Sequence, residues 1–115
     1  MRKNRTILAA NNMLSEQIKE RIKDNLKLVK DPELDINVID LGIIYDIYEK
    51  DGKVEIKMTL TSPICPYGKT LIEQVKIKTE EIVGEGNALM KLVWTPRWDP
   101  RTMATEQAKF KLGLL

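Results

Sequence analysis

The amino-acid sequence predicts an α+β domain in which helices pack mainly on one face of a small mixed sheet. Three observations lead to this prediction: an amphipathic helix pattern near the N-terminus, a hairpin signal followed by an alternating strand, and a second helix pattern that precedes a third strand. The predicted order is α-β-β-α-β-α. A sheet with helices on one face is the two-layer arrangement that buries these apolar patterns.

The first helix is predicted between residues 14 and 29, after an N-terminal arm at residues 1–13 that we expect to be flexible. Apolar residues recur at steps of three or four in this segment, with charged residues between them. The stripe consists of Leu14, Ile18, Ile22, Leu26 and Val29. Ser15 is the expected N-cap, and Pro32 requires the helix to end by about Asp31. Residues 14–115 are predicted to form a single domain.

A β-hairpin is predicted around Asp51 and Gly52, a strong turn signal between two strand-like segments. Residues 31–42, which precede it, are typical of an ordered loop or a short extended piece, and residues 43–50 are rich in strand formers. Residues 53–61 alternate, which predicts a half-buried antiparallel strand. The inward side chains are Val54, Ile56, Met58 and Leu60, and the outward ones are Glu55, Lys57, Thr59 and Thr61.

The segment TSPICPYGKT, residues 61–70, is predicted to end this strand and to begin a second helix that stops at Gly84. The apolar face of that helix is Leu71, Ile72, Val75, Ile82 and Val83. A third strand is predicted at residues 88–95. Because a helix precedes it, it should lie parallel to one strand of the hairpin. A proline-broken loop at 94–100 and a short terminal helix ending at Gly113 complete the chain.

Composition limits the classes of function. There are 19 Lys and Arg against 17 Asp and Glu, and the net charge of +2 is too small to indicate nucleic acid. The absence of histidine excludes Ser-His and Cys-His nucleophile pairs. One cysteine fits a reducing cytoplasm, and no stretch approaches the about 20 apolar residues of a membrane span. We therefore expect a cytoplasmic protein with no nucleic-acid or membrane partner.

The single cysteine, Cys65, lies between Pro63 and Pro66. A residue before proline is extended, and proline is favoured at the first position of a helix, which together predict Cys65 as the N-cap of the second helix. The amides of Tyr67 and Gly68 and the positive helix end would then favour a thiolate. The alternative interpretation is a tolerated small residue at a cap, although cysteine is not among the good N-caps.

Cys65 by itself cannot hold an iron–sulfur cluster, because such clusters usually need four thiolates. The chain supplies one. Iron or a cluster would have to be shared with a second copy of the chain, with a partner's cysteines or with a small thiol. We therefore expect no stably bound cofactor, but a transient iron or iron–sulfur cluster shared between chains, with a homodimer as one arrangement.

Two further groups are candidates. Trp94 and Trp98 flank the sequence TPR; such tryptophans pack at a core edge more often than they bind a partner. Acidic residues cluster in the loop after the first helix, where two or three could bind a hard cation or a basic surface, although such loops are more often simply solvated. These are Asp31, Glu33, Asp35 and Asp40.

Three stretches of the chain together resemble the family of small iron–sulfur, or metal–sulfur, cluster assembly factors that includes SufT and the PaaD-type domain. They are DPELDINVIDLGIIYDI at 31–47, MTLTSPICPYGKTL at 58–71 and LVWTPRWDPRTM at 92–103. The resemblance extends from about Leu14 to Leu114 and agrees with the predicted order of elements. The cysteine-rich extension of true PaaD proteins has no counterpart before Leu115, which favours a general maturation role.

This resemblance implies a carrier or adaptor that helps deliver clusters to apoproteins rather than an enzyme. Its expected partners are iron–sulfur assembly proteins and client apoproteins. Cys65 is the implied functional thiol and metal or cluster ligand, and Trp94 and Trp98 form the implied partner surface. The implied supporting residues are Thr61, Ser62, Pro63, Pro66, Tyr67, Gly68, Asp31, Glu33 and Asp40. The sequence departs from the family at Ile64, where a small residue is common, so we expect Ile64 to crowd the sulfur.

Two other classes of function are alternatives for this sequence. A single-cysteine thiol redox enzyme or redox sensor would need an external thiol, because the chain has no resolving cysteine. A small RNA-binding or structural module is disfavoured by the absence of a GxxG loop and by the near-neutral charge.

Overall fold

The computed structural model describes residues 14–114, so the predicted arm at residues 1–13 lies outside the described residues. The helices are α1 (Glu16–Leu26), α2 (Val38–Leu41), α3 (Gly68–Val83), α4 (Pro100–Met103) and α5 (Glu106–Lys111). The strands are β1 (Lys30–Asp31), β2 (Ile36–Asn37), β3 (Ile44–Lys50), β4 (Lys53–Met58) and β5 (Ala88–Leu92). The predicted α+β class is confirmed.

Helix α1 has the predicted cap and the predicted buried stripe. The Ser15 hydroxyl accepts a hydrogen bond from the Ile18 amide at 3.1 Å. Ile18, Ile22 and Leu26 are buried along the helix, and Val29 is buried just beyond it. The helix ends at Leu26, earlier than predicted, because the next residues form a turn in which the Val29 amide donates to the Leu26 carbonyl oxygen.

The main sheet has the strand order β3-β4-β5. Strands β3 and β4 form the predicted antiparallel hairpin, and β5 pairs parallel to β4, also as predicted. The inward side of β4 is buried as expected, with Val54, Ile56 and Met58 fully enclosed. The sheet therefore presents one apolar face to the helices.

The prediction that the outward side chains of residues 53–61 face water is wrong at two positions. Glu55 and Thr59 are only 7% and 1% exposed. Strand β4 is the central strand, so side chains of both neighbouring strands can lie over its outward residues. Tyr48 of β3 lies opposite Glu55, and the Tyr48 hydroxyl donates a hydrogen bond to the Glu55 carboxylate.

Helices α1 and α3 pack against each other, and their apolar faces join the inner face of the sheet in one core. Leu71, Val75 and Val83 are the buried residues of α3 that the apolar pattern predicted. The Asn25 side-chain amide also donates to the Lys78 carbonyl oxygen at 2.7 Å, linking the two helices. Within residues 14–114, no helix is long and apolar enough to span a bilayer.

The sequence pattern did not reveal the short helices α2 and α4. Asn37 caps α2 by accepting from the Asp40 amide at 2.9 Å. Asp99 caps α4 by accepting from the Arg101 amide at 3.0 Å, inside the segment predicted as a loop. Both helices are four residues long, too short to show a hydrophobic period.

Candidate functional site

The cysteine turn differs from the prediction, because Cys65 is not the N-cap of the following helix. Helix α3 begins at Gly68, with Tyr67 at the cap position and no side-chain capping bond. Two successive turns delay the helix: the Cys65 amide donates to the Ser62 carbonyl oxygen, and the Gly68 amide donates to the Cys65 carbonyl oxygen, both at 3.2 Å. The predicted N-cap position of Cys65 is therefore wrong, and the Gly68 amide donates to the Cys65 carbonyl oxygen instead of pointing to the sulfur.

Cys65 is half-buried and lies among exposed side chains. Ile64 is 87% exposed and Tyr67 is 45% exposed, and both prolines of the turn are also exposed. The Ile64 side chain therefore stands mostly in solvent, and the expected crowding of the sulfur by Ile64 stays a prediction. The result is a thiol held by a backbone turn, with large apolar side chains beside it in the sequence.

Gly68 has a structural reason to be glycine. A Cβ at this position would lie 2.7 Å from Cδ1 of Leu60, which follows β4. The missing side chain lets the start of α3 pass close to the chain that leaves the sheet. This close approach brings the two ends of the cysteine turn together.

A groove of about 400 Å³ lies where the chain leaves β4. The segment that follows β5 forms the rest of its lining. We call this the tryptophan groove, and it is lined by Thr59, Leu60, Thr61, Ser62, Pro63, Trp94, Arg97 and Trp98. The structure thus brings the predicted residues Thr61, Ser62 and Pro63 together with both tryptophans, and Cys65 follows Pro63 by two residues.

The two tryptophans have different environments. The Trp98 indole Nε1 donates to the Leu41 carbonyl oxygen at 2.8 Å, and its ring packs against the core. Trp94 is 45% exposed and presents its ring to solvent. Arg97 lines the same groove and is exposed. We did not single it out from the sequence, although its position between the two tryptophans was a usable signal.

The predicted acidic residues lie outside the tryptophan groove. Asp31 is 1% exposed, and its carboxylate accepts from the amides of Glu33 at 2.8 Å and Leu34 at 3.1 Å. Asp40 accepts from the Asn37 side-chain amide at 3.0 Å, and Glu33 is exposed. Asp31 therefore orders its own loop. Nowhere in residues 14–114 do three or more His, Cys, Asp or Glu side chains form a group that could hold a metal ion.

Comparison with known proteins identifies the family. Residues 19–89, which are well over half of the chain and include the cysteine turn, match the family described as "Iron-sulfur cluster assembly protein". The chain belongs to this family. The resemblance predicted from the three sequence stretches is therefore confirmed. Trp94 and Trp98 lie beyond the matched residues.

Curated relatives of this iron–sulfur cluster assembly family agree. A Fe-S protein maturation auxiliary factor of Porphyromonas gingivalis is 40% identical over 100 residues, covering 86% of this chain and 94% of the relative. The Fe-S protein maturation auxiliary factor SufT of Staphylococcus aureus is 38% identical over 88 residues, covering 76% of this chain and 99% of the relative.

A solved structure shares the fold. The crystal structure of a domain of unknown function, DUF59, from Bacillus anthracis superposes with a TM-score of 0.75 at 31% identity. The match covers 87% of this chain and 95% of the other. This member of the iron–sulfur cluster assembly family therefore shares its arrangement of helices around a small mixed sheet with that domain.

Proposed function

We propose that this protein is an iron–sulfur cluster maturation factor that uses the Cys65 thiolate to hold iron, a cluster or a partner's cysteine in passing. Assembly proteins and client apoproteins are its proposed partners, and they would dock beside the thiol. The names of the relatives from P. gingivalis and S. aureus support the maturation role. The role of the thiol rests on the geometry of the cysteine turn.

The observation behind the thiol's role is its setting. Cys65 is half-buried, so part of it is exposed to solvent. Its position is fixed, because backbone hydrogen bonds on both sides of it define the turn. Exposed Ile64 and Tyr67 adjoin it in the sequence, and exposed Trp94 lines the neighbouring groove. Large exposed apolar side chains commonly mark protein–protein contact sites. A partner that covers them would come close to the sulfur.

The chemistry proposed at Cys65 is ligand exchange. The thiol gives its proton to solvent, and the sulfur then forms one bond to iron while a ligand already on the iron leaves. No electron is transferred. Because one thiolate fills only one of the positions that a cluster's irons require, the other ligands come from the donor, from a second copy of the chain or from a small thiol. The cluster is therefore cargo, which a client with more cysteines can take over.

Anaerobic reconstitution with ferrous iron and sulfide tests this step. The wild type should develop a cluster absorbance, Cys65→Ala should lack it, and Thr70→Ala should keep it. Thr70→Ala is a suitable control because Thr70 is exposed in the first turn of α3 and the variant keeps Cys65. Native mass measurement would show whether the coloured species contains two chains. Equal colour in wild type and Cys65→Ala would contradict cluster binding at this sulfur.

A second experiment tests the biological role. Cells that carry Cys65→Ser should make the protein at normal levels but accumulate client iron–sulfur enzymes with reduced activity, whereas Thr70→Ala should behave as wild type. Unchanged client activity with Cys65→Ser would contradict the proposal. Sustained turnover of peroxide with an external thiol would instead support the alternative, a thiol redox enzyme.

A further inference from the structure

Strand β3 has one edge that no described residue pairs with, because β4 takes only its other side. In an antiparallel pair, alternate residues exchange hydrogen bonds with the partner strand, and the residues between them point their amides and carbonyls outward. Lys50 and Lys53 flank the tight Asp51–Gly52 turn, which makes them a hydrogen-bonded pair. Counting back along β3, the outward backbone groups belong to Glu49 and Ile47.

The Ile47 amide confirms this direction. It donates to the carboxylate of the adjacent residue, Asp46, at 2.9 Å rather than to β4. An acidic side chain that occupies an outward amide protects an edge strand from indiscriminate pairing. The edge is therefore accessible to a strand that can replace the Asp46 carboxylate at that amide.

A groove of about 680 Å³ is lined by the first half of β3, and we call it the β3 groove. Residues 44–47 of β3 line it, together with Lys19 and Lys23 of α1 and Lys57 of β4. Four strand residues span about 13 Å, which is enough to pair with a peptide segment of similar length.

The charge of the β3 groove selects the ligand. Its lining contains three lysines and only one acidic residue, Asp46. Lys19 and Lys23 contact Glu16 and Glu20 at 3.7 and 3.6 Å, but the two glutamates are largely exposed, so these pairs are weak and easily exchanged. The side chains of Lys19 and Lys23 can therefore reorient to pair with an acidic ligand.

We propose that the β3 groove is a docking site for an extended, acidic segment of a partner protein, which adds a strand to the sheet by backbone pairing with Ile47 and Glu49. This mode of recognition combines main-chain hydrogen bonds for affinity with side-chain contacts for selectivity. It concerns a surface separate from Cys65 and goes beyond the proposed function.

Charge argues against two other occupants of the β3 groove, which are residues 1–13 of this chain and a second copy of the chain. Residues 1–13 contain Arg2, Lys3 and Arg5 and no acidic residue, so their charge does not complement a lysine-lined groove. A second copy that paired through its own β3 would bring a second set of the same lysines to the interface. An acidic segment of another protein has the complementary charge.

The β3 groove adjoins the tryptophan groove. Thr95 and Pro96 line the first, whereas Trp94, Arg97 and Trp98 line the second. The Tyr45 hydroxyl donates to the Pro96 carbonyl oxygen at 2.8 Å and so ties this loop to β3. A segment bound along β3 would therefore contact the loop that carries the tryptophans.

Three synthetic peptides test the proposal on the full chain. The first alternates valine with glutamate, the second alternates valine with lysine, and the third is the first peptide with alternate amides methylated. The first should bind and shift the backbone amide resonances of Ile47 and Glu49 most. The second should bind at least tenfold more weakly, and the third should lose about tenfold or more, since about two hydrogen bonds are lost.

Four variants test the location of the site. Lys57→Glu should weaken binding of the valine–glutamate peptide about fivefold, whereas Lys53→Glu, the same charge change on the exposed hairpin outside the groove, should have a much smaller effect. Asp46→Ala should tighten binding about threefold, because it removes a negative charge and releases the Ile47 amide. Cys65→Ser should bind like wild type, so this test is independent of the thiol.

Four results would overturn the proposal. If the methylated peptide bound as tightly as the valine–glutamate peptide, no strand would be added to the sheet. If the valine–lysine peptide bound as tightly, the lysines of the groove would not select an acidic ligand. Resonance shifts centred on β5 would place the site at the other edge of the sheet. A concentration-dependent dimer that broadens the β3 amides without peptide would show that a second copy occupies the groove.

Discussion

The indole Nε1 of Trp98 donates a hydrogen bond to the carbonyl oxygen of Leu41 at 2.8 Å. This bond joins the loop after β5 to the last residue of α2, two segments that are far apart in the sequence. It holds one wall of the tryptophan groove against the core. Trp94, in the same loop, is turned toward solvent.

Replacing Trp98 and Trp94 separately should therefore give different results. Trp98→Phe should lower the free energy of unfolding by about 2 kcal/mol, because the Leu41 carbonyl loses its donor and the smaller ring leaves space in the core edge. Trp94→Phe should change it by less than about 0.5 kcal/mol. Urea unfolding followed by circular dichroism measures both. Equal losses would mean that the Trp98 bond adds nothing to stability.

Gly42 and Gly52 are a matched pair for backbone strain. Both have positive φ, +79° and +77°, which costs a residue with a Cβ about 1–2 kcal/mol. A Cβ on Gly42 would also overlap the Met103 carbonyl oxygen, whereas one on Gly52 would meet no atom within 4 Å. Gly42→Ala should cost at least about 3 kcal/mol in thermal or urea unfolding, and Gly52→Ala only about 1 kcal/mol. Similar costs would exclude an essential contact between Gly42 and Met103.

Asp31 should behave as a structural residue. Asp31→Ala should destabilise the fold by about 2 kcal/mol, because the amides of Glu33 and Leu34 lose a buried charged acceptor. Asp31→Asn should cost less, since its side-chain oxygen can still accept. Glu33→Ala is the control, because Glu33 is exposed, and should lie within about 0.5 kcal/mol of wild type. If Asp31→Ala left the stability unchanged, the loop would be ordered by its other backbone contacts and not by the Asp31 carboxylate.

Tyr48 should titrate unusually late. The hydrogen bond to Glu55, then burial, then the negative charges of Glu55 and Asp46 raise the pKa of Tyr48 to about 12 from its ordinary value of 10.0. The folded state thus holds the proton more tightly than the unfolded state. The resulting stabilisation is fully present below about pH 10 and is lost as the pH rises through about 12.

Ultraviolet absorbance of the tyrosinate measures this directly. Comparison with Tyr48→Phe assigns the transition, and Glu55→Gln should move it toward lower pH because the carboxylate charge is removed. An unchanged transition in Glu55→Gln would show that Glu55 is not the cause.

Much of the fold could be predicted because its strongest signals are local. The stripe of α1, the alternation of β4 and the turn at Asp51 and Gly52 arise from residues a few positions apart. Helices α2 and α4 escaped prediction because four residues are too few to show a period. The burial of Glu55 escaped it because that burial depends on Tyr48 of the neighbouring strand.

The candidate site divides in the same way. The sequence by itself determined that one thiol lies in a proline-bounded turn, that the chain resembles an iron–sulfur cluster assembly family, and that it contains no second cysteine and no histidine. Only the tertiary structure decided that α3 begins at Gly68, because competing turn hydrogen bonds take the amide that a cap would need. It also decided that Trp94 and Trp98 lie beside the residues that follow β4. Because β5 pairs parallel to β4, the segments that follow the two strands leave the sheet at the same end.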